Sequence, residues 1–458
     1  MHANQTSLKS KLLRPVFRGA AVLAVAATLA LAGRSVAVPP PATYEPKPDD
    51  GYYLKFNPRL APQPGPLLLK EGDRLAIIGD SITEQKMYSR IMEDYLTVCV
   101  PQLKITTRQF GWSGETAEGF LRRMTNDCLR FHPTVATLAY GMNDFRYRPF
   151  DLLNSEWYRA NYTAVVRSLK AEGARVVLGS PGCVGQVPRW TKSDAYSLDE
   201  LNISLCAFRD IDIEIAADED TRFADVFWTM FKAGHAAQQR FGTAAAPYMI
   251  SGHDGVHPGW AGHLVMAYTF LRSLGLDGDI GTFTVDLAGN KAEAGAGHNI
   301  ESFQNGELTV TSTRYPYCAT GEANSDNSIR SGMEIVPFNQ ELNRLMLVAR
   351  NGTAPKYKVT WGTESRVYTS AQLAAGVNLA ADFPVNPFSD AFNRVDTAVK
   401  AKQEYETKQI KSIFHGAEGK QDMEAAVKRT EAERAPLAAA VASAVVPVTH
   451  TIKIQVAE

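Results

Sequence analysis

RLAIIGDSITE, residues 74–84, joins a short apolar run to a polar turn with a serine in it. The run 74–79 suits a buried strand. Ser81 follows Gly79-Asp80 just past its end, where a tight strand-to-helix turn can leave the hydroxyl exposed. The first amides of the next helix point at the same place. Taken alone, Gly-Asp-Ser is equally the mark of a turn whose serine caps a helix.

Outward from this turn the pattern alternates. Residues 86–98 read as helix, with Met87, Ile91, Tyr95 and Leu96 at helical spacing. Strand-like runs at 104–110, 134–140, 175–179 and 223–226 are separated by helical patterns over 116–130, 154–171, 196–216 and 259–274. Such alternation implies an α/β fold, a parallel sheet with helices on both faces. Ligands in open sheets of this type bind beyond the carboxyl ends of the strands.

Three further segments lie at those ends. Gly111-Trp112-Ser113-Gly114-Glu115-Thr116 follows the second strand, and Gly114 lets a backbone N–H approach a ligand without an intervening side chain. Gly141-Met142-Asn143-Asp144 follows the third and brings a side-chain amide. Asp254-Gly255-Val256-His257-Pro258 places a carboxylate and an imidazole on one loop before the last helix. Together with the Ser81 turn, these four blocks resemble the SGNH/GDSL hydrolase (esterase/lipase) superfamily, over residues 71–277.

The resemblance implies a flavodoxin-like three-layer α/β/α domain and a serine hydrolase of ester bonds. It makes Ser81 the nucleophile, His257 the general base and Asp254 the acid that orients the imidazole. It assigns the oxyanion hole to the backbone N–H groups of Ser81 and Gly114 and the side-chain amide of Asn143. No metal or cofactor is implied. G-x-S-x-G is absent around Ser81, which separates this turn from the elbow of the α/β-hydrolases. Asp80 and Asp144 are expected to brace loops, and His253 is set aside for His257 because the last helix starts just after the latter. His263 is expected to pack or lie at the surface. Trp112 can stack on a sugar or cover the core, and Arg146, Tyr147 and Arg148 can line a cleft or a solvated loop. Glu84 and Glu115 receive no catalytic role.

The chain has 458 residues, 45% hydrophobic and 21% charged, with a formal net charge of −1. Such a composition is that of a globular protein with an ample core, and it gives no electrostatic case for nucleic acid. Lys9, Lys11, Arg14 and Arg18 precede an apolar run over 19–33 that ends in small residues. That order reads as a secretory signal peptide over 1–32, and the run is shorter than the roughly 20 residues needed to span a bilayer. A secreted or periplasmic protein without a stable membrane anchor after cleavage is expected. The five cysteines, Cys99, Cys128, Cys183, Cys206 and Cys318, are odd in number, so at least one stays free or pairs between chains.

Residues 33–70 are proline-rich and read as a linker or surface strap. Residues 278–385 read as β-rich, with a hairpin at Asn305-Gly306 and a half-buried strand carrying Tyr357, Val359 and Trp361. A helical segment over 386–440 follows, and 441–458 is expected to return as a strand to the β-rich region. Tyr315, Tyr317 and Trp361 can form a glycan platform, although packing is the favoured reading. Export and the added β region favour a small acyl ester, carried by an acetylated glycan, as substrate. The alternatives are a sugar O-acetyltransferase, a short-chain lipid or aryl esterase, and a non-catalytic glycan-binding envelope protein.

Overall fold

Strands β1 (Arg74–Gly79), β2 (Thr106–Gln109), β3 (Val135–Ala139), β4 (Arg175–Gly179) and β5 (Arg222–Ala224) form an all-parallel sheet in the order β2-β1-β3-β4-β5. The computed structural model describes residues 43–191 and 195–457; the leader expected over 1–32 lies outside the described residues. β1 pairs Ile77 with Gln109 on one side and with Thr137 on the other. Leu75 to Gly79 are buried, as befits a strand covered on both faces. The strand order reverses between β1 and β3, and ligands of such folds bind in the crevice at that point. The Ser81 and Asn143 turns both open there.

Helices Tyr88–Val98, Ala117–Asp127, Leu152–Ala171, Leu198–Asp218 and Trp260–Ser273 fall where the sequence pattern put them, within a few residues. One further helix, Val226–Phe241, was not anticipated. The strand expected over 223–226 stops at Ala224, because the Asp225 carboxylate accepts the Trp228 N–H at 3.1 Å and starts that helix. Its apolar face buries Phe227, Trp228 and Phe231. Tyr53 and Phe56 of the proline-rich stretch pack on these rings, and buried Arg209 donates to Arg59 O at 2.8 Å, so residues 43–70 run as a strap over the fold.

The chain beyond residue 278 builds two more sheets. β6 (Asp279–Asp286), β7 (Lys291–Ala294), β8 (His298–Gln304), β9 (Glu307–Ser312), β10 (Arg344–Arg350), β11 (Lys356–Trp361), β12 (Glu364–Thr369), β13 (Val377–Asn378) and β14 (Val448–Val456) pair as β13-β10-β6-β7 and as β12-β11-β14-β9-β8. The Asn305-Gly306 turn between β8 and β9 has φ of 53° and 77°, the two left-handed residues of a type I′ hairpin. Phe283 of β6 meets His298 of β8 and His450 of β14 at ring distances of 5.1 and 5.8 Å, so the sheets face one another through a shared core. Within it, Trp361 Nε1–H donates to His450 Nδ1 at 3.1 Å, and His450 Nε2 reaches Ser312 Oγ at 3.0 Å. Ser312 Oγ bonds His298 Nδ1 at 2.8 Å, and His298 Nε2 bonds Ile280 O at 3.0 Å. Both histidines must be neutral to complete this chain of donors and acceptors. Tyr315, Tyr317 and Trp361 are buried against Phe388, Phe392 and Phe383, which leaves no aromatic platform for a glycan there.

Between β13 and β14 the chain makes helix Ser389–Lys408, a π-helical turn Gln409–Phe414 and helix Met423–Ala444, the last running a turn beyond the expected end. These elements cover the outer edge of β2. Lys402 Nζ and Arg434 Nη2 donate to Thr107 O at 2.9 and 3.0 Å, and Glu406 Oε2 accepts the Gln109 N–H at 3.1 Å. Charged side chains thus complete hydrogen bonds that an edge strand otherwise leaves open. The described residues from Thr43 onward form one compact unit. All five cysteines are buried and unpaired. No described helix is long and apolar enough to cross a membrane.

Candidate active site

Ser81 opens a single-turn helix, Ser81–Glu84, directly after β1. The Asp80 carboxylate accepts the Ile82 N–H at 2.9 Å and caps this turn, so the Ser81 N–H is the first amide of the helix and has no intrahelical acceptor. Asp80 is buried, and the cost of desolvating its charge, with Asp144 and Glu115 nearby, pushes its pKa up to about 7 against the pull of the Ile82 amide.

The loop after β2 lies against this turn. Trp112 N–H donates to Gly79 O at 3.1 Å, and a Cβ on Gly111 would sit 2.2 Å from the Glu84 backbone nitrogen. Gly114 has a φ of +74°, a left-handed backbone that glycine adopts freely. Among the described residues its N–H has no acceptor. Beneath it, buried Glu115 forms a two-pronged ion pair with Arg123 at 2.6 and 2.7 Å and accepts from Tyr140 Oη at 2.7 Å. Pairing and hydrogen bonding offset the burial of that carboxylate.

Asn143, after β3, donates from Nδ2 to Glu115 O at 3.0 Å and reaches Asp80 Oδ2 at 3.4 Å, while Tyr147 Oη donates to its Oδ1 at 3.3 Å. Asp144 accepts the Ala117 and Gly141 amides, each at 2.9 Å, and locks the Asn143 turn to the start of helix Ala117–Asp127. Burial raises Asp144 to about 7 despite those amides. Asp80 and Asp144 therefore brace loops. Arg146 lies over Trp157 and Arg148 pairs with Asp151, so of the three residues after Asp144-Phe145 only Tyr147 touches the site.

The fourth loop carries both acid and base. Gly252 has a φ of +77°, and a Cβ there would fall 1.7 Å from His257 O, so the turn closes only around glycine. Asp254 Oδ1 accepts the Val256 and His257 amides, both at 2.9 Å, and its Oδ2 bonds His257 Nδ1 at 2.6 Å. Partial burial works against the charge of Asp254, yet the two amides and the imidazole outweigh it and hold the pKa below the usual carboxylate range. His257 Nε2 lies 2.8 Å from Ser81 Oγ. With Nδ1–H given to the carboxylate, Nε2 is the lone pair facing the serine hydroxyl, the tautomer required to receive its proton. The structure thus brings Ser81, Asp254 and His257 into one hydrogen-bonded line and gathers the Gly114 and Asn143 turns beside it.

His253 is exposed, and its backbone carbonyl accepts from Gln186 Nε2 at 2.5 Å. His263 is buried and bonds Gln85 Oε1 at 2.9 Å; burial takes its pKa down to about 3. Trp112 is half-buried, with the Arg123 guanidinium, Lys411 Nζ and the His415 ring within about 5 Å of it, and so serves as packing at the rim. Trp190, which the pattern of residues did not single out, stands 53% exposed with its ring 6.3 Å from that of His257 and edge-on to Tyr147. The side chains of His257 and Asp254 are themselves 27% and 41% exposed, so the site is open. An apolar cavity of about 610 Å³ lies elsewhere: helix Met423–Ala444 covers it over Leu75, Leu96 and Phe131, and none of Ser81, Asp254 or His257 lines it.

A family model described as GDSL-like lipase/acylhydrolase matches residues 77–265. An acetylxylan esterase of Geobacillus stearothermophilus is 25% identical over 224 residues, which are 45% of this chain and 95% of that one. Among solved structures, a gut microbial diltiazem-metabolizing enzyme superposes with a TM-score of 0.69 at 21% identity, covering 86% of this chain and 99% of its own. The solved acetylxylan esterase from Geobacillus stearothermophilus has a TM-score of 0.37 at 22% identity, over 46% of this chain and 97% of its own. The first of these structures shares the fold well beyond the parallel sheet. The span 77–265 contains Ser81, Gly114, Asn143, Asp254 and His257, and ends before the helices that cover β2.

Proposed function

We propose, from the premise that residues 77–265 belong to the GDSL-like lipase/acylhydrolase family and that the chain is a carboxylic ester hydrolase, a two-step reaction through an acyl-Ser81 intermediate. The observation that carries it is the unbroken line Asp254–His257–Ser81, with contacts of 2.6 and 2.8 Å. His257 Nε2 takes the hydroxyl proton as Ser81 Oγ attacks the ester carbonyl carbon, and Asp254 steadies the imidazolium that forms. The carbonyl oxygen becomes an oxyanion and receives the N–H groups of Ser81 and Gly114 and the amide of Asn143. As the tetrahedral intermediate collapses, the C–O bond to the leaving alcohol breaks and His257 returns the proton to that alcohol. Water, deprotonated by His257, then attacks the acyl-enzyme, and the acid leaves with Ser81 restored.

The acyl group is acetyl and its carrier a carbohydrate. The relative named acetylxylan esterase supports this reading, as do the open site and an exposed indole, Trp190, beside the base. Export fits a polymeric substrate outside the cell, and its support is the basic-then-apolar order of residues 9–33. The test pairs wild type with Ser81→Ala. Wild type is expected to turn over p-nitrophenyl acetate and to release free acetate from acetylated xylan, and the variant to do neither. Turnover that survives in Ser81→Ala removes the nucleophile assignment. Acetyl transferred to an added sugar in place of free acetate identifies a transferase.

A further inference from the structure

We infer that Glu84 and Lys411 are positioning residues that hold the Gly114 loop in register with the nucleophile, so that the helical excursion after residue 386 completes the active site from outside the matched span. The inference rests on the serine-esterase reading above. Glu84 closes the same helical turn that Ser81 opens. Its Oε2 accepts both the Ser113 N–H, at 2.5 Å, and the Ser113 hydroxyl, at 2.6 Å. Ser113 immediately precedes Gly114. One carboxylate therefore fastens the peptide beside the Gly114 N–H to the turn that carries the attacking oxygen.

That carboxylate is held in turn by Lys411, whose Nζ donates to Glu84 Oε1 and Oε2 at 2.7 and 2.9 Å. The pair is 18% and 28% exposed, sheltered enough to be screened less than a surface pair. Lys411 Nζ also lies 5.1 Å from the centre of the Trp112 ring, on the same loop. Four residues on, the His415 ring meets Trp112 edge-on at 4.9 Å and its Nε2 bonds Asp127 at 2.7 Å. Lys411 stands on the π-helical turn Gln409–Phe414. Such turns widen a helix by one residue and recur at functional sites, because they re-aim the side chains they carry. The Trp112–Gly114 loop has no regular secondary structure of its own, so these contacts fix its position.

A loop that carries an oxyanion donor must be right to within a fraction of an ångström, since the donor acts on charge that exists only in the transition state. Loss of the clamp therefore appears in kcat, with KM for a small ester largely preserved. The experiment measures p-nitrophenyl acetate kinetics and Tm for Lys411→Met, Lys411→Arg, Glu84→Gln and the Lys411→Met/Glu84→Gln double variant, beside Ser81→Ala. Expected is a fall in kcat of about 5- to 50-fold for Lys411→Met and for Glu84→Gln, with KM within about twofold. The double variant should be no worse than the worse of the two single ones, because Lys411 acts only through the Glu84 carboxylate. Lys411→Arg should recover at least half of kcat, and it keeps the argument testable should Lys411→Met fail to fold. Wild-type kcat in a folded Lys411→Met, a loss confined to KM or Tm, or additive losses in the double variant would each overturn the inference. If Ser81→Ala is inactive while Lys411→Met is normal, the inference falls alone; if Ser81→Ala stays active, the esterase reading falls with it.

Discussion

Replacing Asp254 by Asn changes almost nothing in shape and everything in proton direction. The asparagine carbonyl oxygen can still accept the Val256 and His257 amides, as Asp254 Oδ1 does at 2.9 Å, and that anchoring turns the new NH₂ toward His257 Nδ1. Two donors cannot share the 2.6 Å contact, so Nδ1 gives up its proton and the ring proton moves to Nε2. Nε2–H then faces Ser81 Oγ and cannot take the hydroxyl proton. A buried acid changed in this way costs about 10⁴ in kcat in the serine proteases. Here the Asp254 side chain is 41% exposed, and water can partly rescue the productive tautomer. The expected loss is therefore about 10²–10³, on the order of 3–4 kcal/mol of transition-state stabilisation. It is read as kcat with p-nitrophenyl acetate near neutral pH, with Tm as the control for folding. A variant that keeps wild-type Tm and a kcat within about threefold of wild type would refute the argument, because the tautomer would then not be what Asp254 sets.

Asn143→Ala should lower kcat by about 10²–10³, measured by the same assay, while acylation by a slow chromogenic ester still proceeds to a burst. Burial holds His450 at about 3 and also lowers His298 and His263, so all three are neutral in the fold and gain protons on unfolding in acid. Their stabilisation is complete above the unfolded histidine range near 6.5 and fades as pH falls below it, by up to about 1.4 kcal/mol per pH unit for each. Buried Asp80 and Asp144, raised to about 7, take up protons in the fold over the same range and oppose this effect. In thermal melts from pH 7 to 5, wild type should therefore lose Tm relative to His450→Gln; a difference between the two that does not change with pH would count against the neutral pair. Ala438→Leu places a larger side chain into the cavity under helix Met423–Ala444 and should raise Tm by about 1–3 °C, with kcat unaltered.

The parallel sheet was legible because β1, β3 and β4 are short apolar runs flanked by helices, the pattern that burial on two faces imposes, whereas the edge strand β2, Thr-Thr-Arg-Gln, is polar. The turns that form the site were legible for a related reason: Gly79 and Gly252 mark places where the backbone passes close to another chain segment, and Gly114 marks a left-handed turn with open space where a side chain would stand. Helix Val226–Phe241 was missed because its opening residues, Val226-Phe227-Trp228, continue an apolar run that reads equally well as strand. Only the cap by Asp225 decides between them. The clamp of Lys411 on Glu84 joins residues 327 apart, and neither residue type is unusual where it stands. Trp190 escaped notice similarly, since a lone tryptophan in a loop has no period and its meaning comes from the His257 ring it faces. Tyr315 and Tyr317 were ambiguous until Phe388, Phe338 and Phe392 closed over them.

The position of β14 has a consequence for how the chain matures. It lies between β9 and β11, pairing Ile452 with Leu308 on one side and Trp361 on the other. As the polypeptide leaves the ribosome, β8–β9 and β11–β12 can each form a hairpin, but the two ribbons have nothing to join them until residues 448–456 emerge. Through that interval both ribbons present bare, adhesive margins to any neighbouring nascent chain. Clipping the connection just before Val448 would recreate the same hazard in the finished molecule, because it frees the keystone of a sheet and no mere tail.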